Sequence, residues 1–133
     1  QEGHLLLLQQ AAEEKGKKWG PPAGGIKAGE TIFDCARRET REETGLEVEL
    51  IDLIGIYTVI KGIEGSRASF VFRGELKGGQ FKWADGEIVT GRYFSSEEIQ
   101  ELIINDKLYK PEYNLGVVKD WLAGISFPLE VIR

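Results

Sequence analysis

The chain has 133 residues, of which 22 are acidic and 17 basic, for a formal net charge of −5, and a pI near 5.0. At 14.9 kDa it is expected to form one domain that buries roughly two-thirds of its unfolded surface; its scattered Lys and Arg argue against a duplex nucleic-acid footprint but admit a small phosphorylated substrate whose charge metal ions offset. The single Cys35 cannot close an internal disulfide, no apolar run approaches the roughly 20 residues of a bilayer span, and no signal peptide opens the chain, so a soluble cytoplasmic protein is expected.

In chain order, His4 reads as a turn residue before Leu5 to Gln10, a short apolar run predicted as a strand buried on both faces. Ala11 to Lys18 is polar and reads as a loop. Trp19 to Gly25 is predicted as a rigid, turn-rich segment, in which Pro21 and Pro22 fix φ and the glycines let backbone approach a ligand. Ile26 to Gly29 reads as an extended turn. A helix then opens at Thr31, an N-cap with Asp34 three residues on, and closes at Gly45 in the left-handed conformation. Beyond it, Glu47 to Ile60 is predicted as strand broken at Gly55. Gly62 to Ser66 reads as a hairpin loop, Ala68 to Leu76 as a strand, and Gly78, Gly79 and Gly86 as loop residues around Phe81 to Trp83. Glu87 to Phe94 is a further predicted strand. Ser95 with Glu98 caps a helix to about Ile104, and a last helix runs from about Glu112 to Leu122, stopping at Gly124. Strands interspersed with helices imply an α/β (α+β) domain.

The chemistry concentrates on the first helix. Glu39, Glu42 and Glu43 fall at i, i+3 and i+4, so their side chains share one stripe. Like charges at that spacing cost roughly 0.2 to 0.5 kcal/mol per pair, a repulsion removed by a hard divalent cation, Mg²⁺ or Mn²⁺. The stripe therefore reads as a metal cradle, against the alternative of a solvated acidic helix. Ile32, Ala36 and Thr40 form another stripe facing the core, and Arg37 and Arg41 face solvent. If Thr40 faces the core with its hydroxyl unpaired, Thr40→Val would stabilise the domain modestly; a hydroxyl partnered by a carbonyl one turn earlier would reverse the sign. Arg38 is placed to pair with Glu42 or Glu30.

Gly24, Glu30, Arg38, Glu39, Glu42, Glu43, Gly45 and Leu46 match, at every fixed spacing, the box G-x5-E-x7-R-E-U-x-E-E-x-G-U of the Nudix hydrolase family, which this chain resembles. Its one departure is Thr40, where the box has a bulky aliphatic. The resemblance implies a Nudix-type αβα sandwich around a mixed β-sheet, spanning residues 1–133. It also implies metal-assisted attack of water on phosphorus in a nucleoside diphosphate-linked or nucleoside di- or triphosphate substrate. By resemblance, the residue before the box glycine, Ala23, donates its carbonyl to a metal, while Arg38 and Glu30 hold the liganding carboxylates in place. Glu42 and Glu43 are the expected ligands, Glu39 a ligand or general base, and Glu87, beside Asp85, an additional acid. Trp19, Tyr57 and Arg67 are candidates for substrate contacts, with a core position as the alternative for the aromatic pair.

The Trp19 to Gly25 run, the entry from Tyr93 to Ile99 and the tail Phe127 to Ile132 resemble the NudJ-type phosphatase branch; proline with alanine before the box glycine also occurs in ADP-ribose pyrophosphatases. Competing readings are a nucleotide or ADP-ribose sensing module without turnover and an RNA-end hydrolase. The complete carboxylate stripe argues against the first and the acidic pI against the second. Oligomeric state is left open. Because the chain opens at Gln1, holds no Met, and the resembling family places a strand ahead of the segment equivalent to Leu5–Gln10, a preceding strand is expected; an intact mass of 14.9 kDa would exclude it.

Overall fold

The computed structural model describes residues 3–11, 18–23, 25–60, 63 and 65–133. Gly24, residues 12–17 of the predicted Ala11–Lys18 loop, and residues 61, 62 and 64 around the predicted Gly62–Ser66 loop lie outside the described residues. The elements are β1 (Leu5–Gln10), β2 (Trp19–Gly20), α1 (Ile32–Thr44), β3 (Leu46–Ile60), β4 (Ser66–Gly79), β5 (Ile88–Phe94), α2 (Ser96–Ile104), α3 (Pro111–Leu122) and a closing 3₁₀ turn, Leu129–Val131. The α+β class stands. Among the described residues the paired strands are antiparallel and fall into two sheets, β2-β1-β5 and the long ribbon β3-β4, and parallel direction appears only in an isolated bridge from Trp19 to Leu108.

β1 is central in its sheet, and this explains its unbroken leucines. With neighbours on both edges and a helical layer over one face, Leu7 and Leu8 lose all solvent contact. Leu7, Phe94, Ile99, Leu108 and Val118 form the core cluster, joined by Leu5, Trp19, Leu115 and Trp121 from its margin. This core sits between β1, β5 and the helices α2 and α3. α1 and α3 both pack against β3, which ties the ribbon to the rest of the domain.

Three sequence expectations change. Trp19–Gly20 is a short strand pairing with Leu8 and Gln9, so the predicted turn-rich segment begins as sheet. β3 runs through Gly55 without a break, because the strand absorbs Ile51 and Ile54 as extra residues against β4. Gly55 serves another purpose there: a Cβ on it would meet the Tyr57 hydroxyl at 2.7 Å, and that hydroxyl donates to Asp120 Oδ2 at 2.7 Å, fastening β3 to α3. Gly78 and Gly79 end β4 rather than lying in a loop.

Candidate active site

Local sequence fixes the ends of α1. Thr31 accepts from the Asp34 N–H at 3.0 Å while Asp34 Oδ2 accepts from the Thr31 N–H at 3.2 Å, a reciprocal capping box. Gly45 closes the helix at φ 78°, its N–H donating to the Arg41 carbonyl. The left-handed φ favours glycine, and a Cβ there would run into the Gln80 carbonyl oxygen. The tightness has a purpose: the Lys82 N–H donates to the Thr44 carbonyl at 2.8 Å and the Ala84 N–H to the Glu43 carbonyl at 3.4 Å, so the segment before β5 is laced to the end of α1.

Thr40 takes the second of the two arrangements its sequence allows. Its hydroxyl donates to the Ala36 carbonyl at 2.8 Å, one turn back, so no buried hydroxyl is left unpaired. Thr44 repeats the device toward Thr40 O at 2.6 Å and also accepts from the Leu46 N–H at 3.0 Å. The two buried residues of α1 are Glu43 and Thr44, while the apolar stripe is half-buried.

Arg38 organises the acidic face. Its Nη2 and Nε donate to Glu30 Oε1 and Oε2 at 2.6 and 3.0 Å, a two-point fork. Nη1 reaches Glu39 Oε1 at 2.6 Å and Glu42 Oε2 at 3.2 Å, and Nη2 also reaches the Gly25 carbonyl at 2.8 Å. Both partners expected from sequence are thus engaged at once. The Arg38 guanidinium, with the Lys27 N–H, holds the Glu30 carboxyl down at about 2, and Glu30 in return raises Arg38 further above its usual range.

Glu43 has the opposite environment. Only 8% exposed, it receives the Ala23 N–H at 3.2 and 3.4 Å on its two oxygens and has no ion-pair partner among the described residues. Burial pushes its carboxyl up to about 7, the Ala23 N–H opposes the rise, and the charges of Glu39, Glu87 and Glu42 add to it. Glu87, exposed just before β5, is therefore within electrostatic reach of Glu43. Ala23 meets the same carboxylate through its N–H.

The donor set suits a hard divalent cation: the carboxylates of Glu39, Glu87 and Glu42 act electrostatically on the buried Glu43, which has no ion-pair partner among the described residues. The cage is not closed. Among the described residues no group of three or more His, Cys, Asp or Glu is arranged to hold an ion, because Arg38 draws Glu39 and Glu42 to itself while Ala23 holds Glu43. Glu42, its side chain 51% exposed, is held between Arg38 at 3.2 Å and Lys27 at 4.0 Å.

The three residues expected to meet substrate are dispersed. Trp19 stacks edge-on against Phe94 with centroids 4.9 Å apart, at the margin of the core. Tyr57 is bound to Asp120. Arg67 is exposed on β4, opposite Val59. None has a hydrogen bond or ion pair with Glu39, Glu42, Glu43 or Glu87 among the described residues. Sequence reasoning missed the Gly25 carbonyl that anchors Arg38 and the lacing through Lys82 and Ala84; these are backbone groups from distant segments, and no residue type announces them.

Comparison with known proteins places this geometry. The NUDIX domain family profile matches residues 1–113. The chain is 34% identical over 135 residues to the 8-oxo-dGDP phosphatase NUDT18 of Mus musculus, covering 98% of this chain and 41% of that protein. It is 29% identical over 134 residues to the phosphatase NudJ of Escherichia coli O1:K1, covering 98% and 83%. Among solved structures, a NUDIX hydrolase from Nitrosomonas europaea superposes with a TM-score of 0.82 at 28% identity, covering 100% of this chain and 89% of that one. The chain spans less than half the length of several curated relatives, 41% of the mouse protein and 26% of a Caenorhabditis elegans nudix hydrolase.

Proposed function

Since this chain belongs to the Nudix hydrolase family, we propose that it hydrolyses small nucleoside di- or triphosphates, or molecules linked through a nucleoside diphosphate, with Mg²⁺ bound at the acidic face of α1 and Mn²⁺ able to replace it. The observation that carries this reading is Glu43, a buried carboxyl raised to about 7 by its burial and by the surrounding Glu39, Glu87 and Glu42. An uncompensated charge at such a site costs stability, and a divalent cation would offset it. In this reading Glu42 and Glu43, with the Ala23 carbonyl, hold the cation. When bound, the cation neutralises phosphate oxygens and makes water a better nucleophile near neutral pH.

The remaining steps belong to the chain. Glu39 orients the attacking water or takes its proton, and Glu87 shares that work from the turn before β5. Arg38 is a positioning residue: fixed by Glu30 and the Gly25 carbonyl, it sets the directions of Glu39 and Glu42. Relatives named as phosphatases of 8-oxo-dGDP and of the NudJ type support a nucleoside diphosphate among the substrates.

The test is a Mg²⁺-containing panel of nucleoside di- and triphosphates, ADP-ribose, dinucleoside polyphosphates and thiamin-pathway pyrophosphates, with products resolved by phosphorus NMR. Orthophosphate as the sole inorganic product from triphosphates supports a terminal phosphatase; pyrophosphate with monophosphate assigns internal cleavage instead. Absence of turnover throughout, with nucleotide binding retained, would replace the enzyme by a sensing module.

A further inference from the structure

The β3-β4 ribbon leaves one long edge unused. Among the described residues β4 pairs only with β3. From Ser66 to Leu76 it carries no extra residue of its own, since Ile51 and Ile54 bulge on β3 and the irregularity in β4 comes later, at Lys77. No proline interrupts it. A regular edge of this kind presents unpaired N–H and C=O groups to any strand that fits, and proteins usually blunt such edges. The middle of this one is apolar: Phe70, Val71 and Phe72 are half-buried, and Leu76 is 60% exposed.

The charges along β4 select the occupant. Glu75 lies directly across from Glu49, a like-charged pairing that cross-strand neighbours ordinarily avoid, with Arg73 of its own strand within electrostatic reach. Arg67, exposed near the other end, has no ion-pair partner among the described residues. We infer that a second copy of this chain docks antiparallel along the β4 edge, with Val71 on the two-fold axis. In that register Phe70 faces the second copy's Phe72, and Arg67 faces its Glu75 at both ends. Because side chains alternate faces along a strand, Arg67, Val71 and Glu75 share one face. Each arginine then sits where it offsets the Glu49–Glu75 repulsion. Moving the axis to Phe72 sets Arg67 against Lys77, and moving it to Phe70 sets Arg67 against Arg73, so like charges disfavour the neighbouring registers. The interface is isologous and stands independently of the proposed chemistry.

Sedimentation velocity over a wide concentration series tests it, with circular dichroism to confirm folding. The wild-type protein should dimerise reversibly. Arg67→Glu and Glu75→Arg, each alone, should raise the dimer Kd on the order of tenfold or more, because two attractive pairs become two repulsive ones. Mixing the two variants should restore association, since each then supplies the charge the other lacks. Hydrogen exchange gives a second readout if a variant folds poorly: protection of amides 66–76 in the wild-type chain should rise with concentration. A monomer at every concentration, a dimer indifferent to both reversals, or a mixture no tighter than its components overturns the proposal. An edge that becomes protected only when a different protein is added assigns it to a foreign strand and also overturns self-pairing.

Discussion

Replacing Glu43 by Gln tests whether the buried carboxyl is the strained centre of the site. In metal-free protein its folded pKa is about 7 against 4.5 for the ordinary group, so the native state holds this proton more tightly than the unfolded chain. The sign follows: its favourable contribution is complete below about pH 4.5, is lost as pH rises through about 7, and changes little beyond. At about 1.4 kcal/mol per pH unit the displacement sets a ceiling of about 3.5 kcal/mol, and residual solvent screening lowers the expected loss to about 1–2 kcal/mol. Gln keeps an acceptor for the Ala23 N–H and removes the charge. At pH 8 with chelator, Glu43→Gln should therefore melt about 3–8 °C above wild type, and the two should converge near pH 4.5. Saturating Mg²⁺ should stabilise wild type much more than the variant. The assay is urea or thermal unfolding from pH 4.5 to 8.5, read as the difference between the proteins so that other titrations cancel. A pH-independent difference, or a variant less stable at pH 8, would refute the assignment of burial as the dominant cause.

Glu39→Gln should cut kcat by roughly 10² or more with little change in stability, because the lost Arg38 contact at 2.6 Å is balanced by relief of repulsion with Glu43; near-wild-type turnover at saturating Mg²⁺ and substrate would sink that role. Glu30 works in another pH window. Its carboxyl is held at about 2 by Arg38 and the Lys27 N–H, so its stabilisation is present above about 4.5 and lost as pH falls toward 2. Glu30→Gln should flatten that acid limb in circular dichroism, and superimposable acid-unfolding curves would contradict it. Thr40→Val removes a hydrogen bond to the Ala36 carbonyl and should lower stability by up to about 1 kcal/mol; a clear rise in Tm would mean that this bond strains the helix.

What the sequence disclosed was mostly what neighbours along the chain decide. The boxes at Thr31–Asp34 and Ser95–Glu98, the glycine cap at Gly45 and the carboxylate stripe are each written within a few residues, and both boxes form as read. Thr40 was equally local, yet composition could not reveal that its hydroxyl turns back to Ala36. Features that depend on distant pairing stayed hidden. Gly55 reads as a strand breaker until β4 is present to let Ile51 and Ile54 bulge and α3 is present to receive Tyr57. The contact of Ala23 with Glu43 joins positions 20 residues apart through a backbone N–H, which no side-chain pattern encodes.

The tail carries a consequence for how large an assembly can grow. Phe127 exchanges both backbone hydrogen bonds with Leu53, at 2.9 and 2.7 Å, and so seals the rim of β3 that faces away from β4 at that point. A ribbon sticky on both rims could add copies without end, as fibrils do. With Phe127 occupying the second rim at Leu53, a copy docking there would have to displace the tail, whereas the proposed β4 pairing uses up both open edges. If the β4 edges pair as proposed, the segment around Phe127 then works against filaments and favours an assembly that stops at two copies.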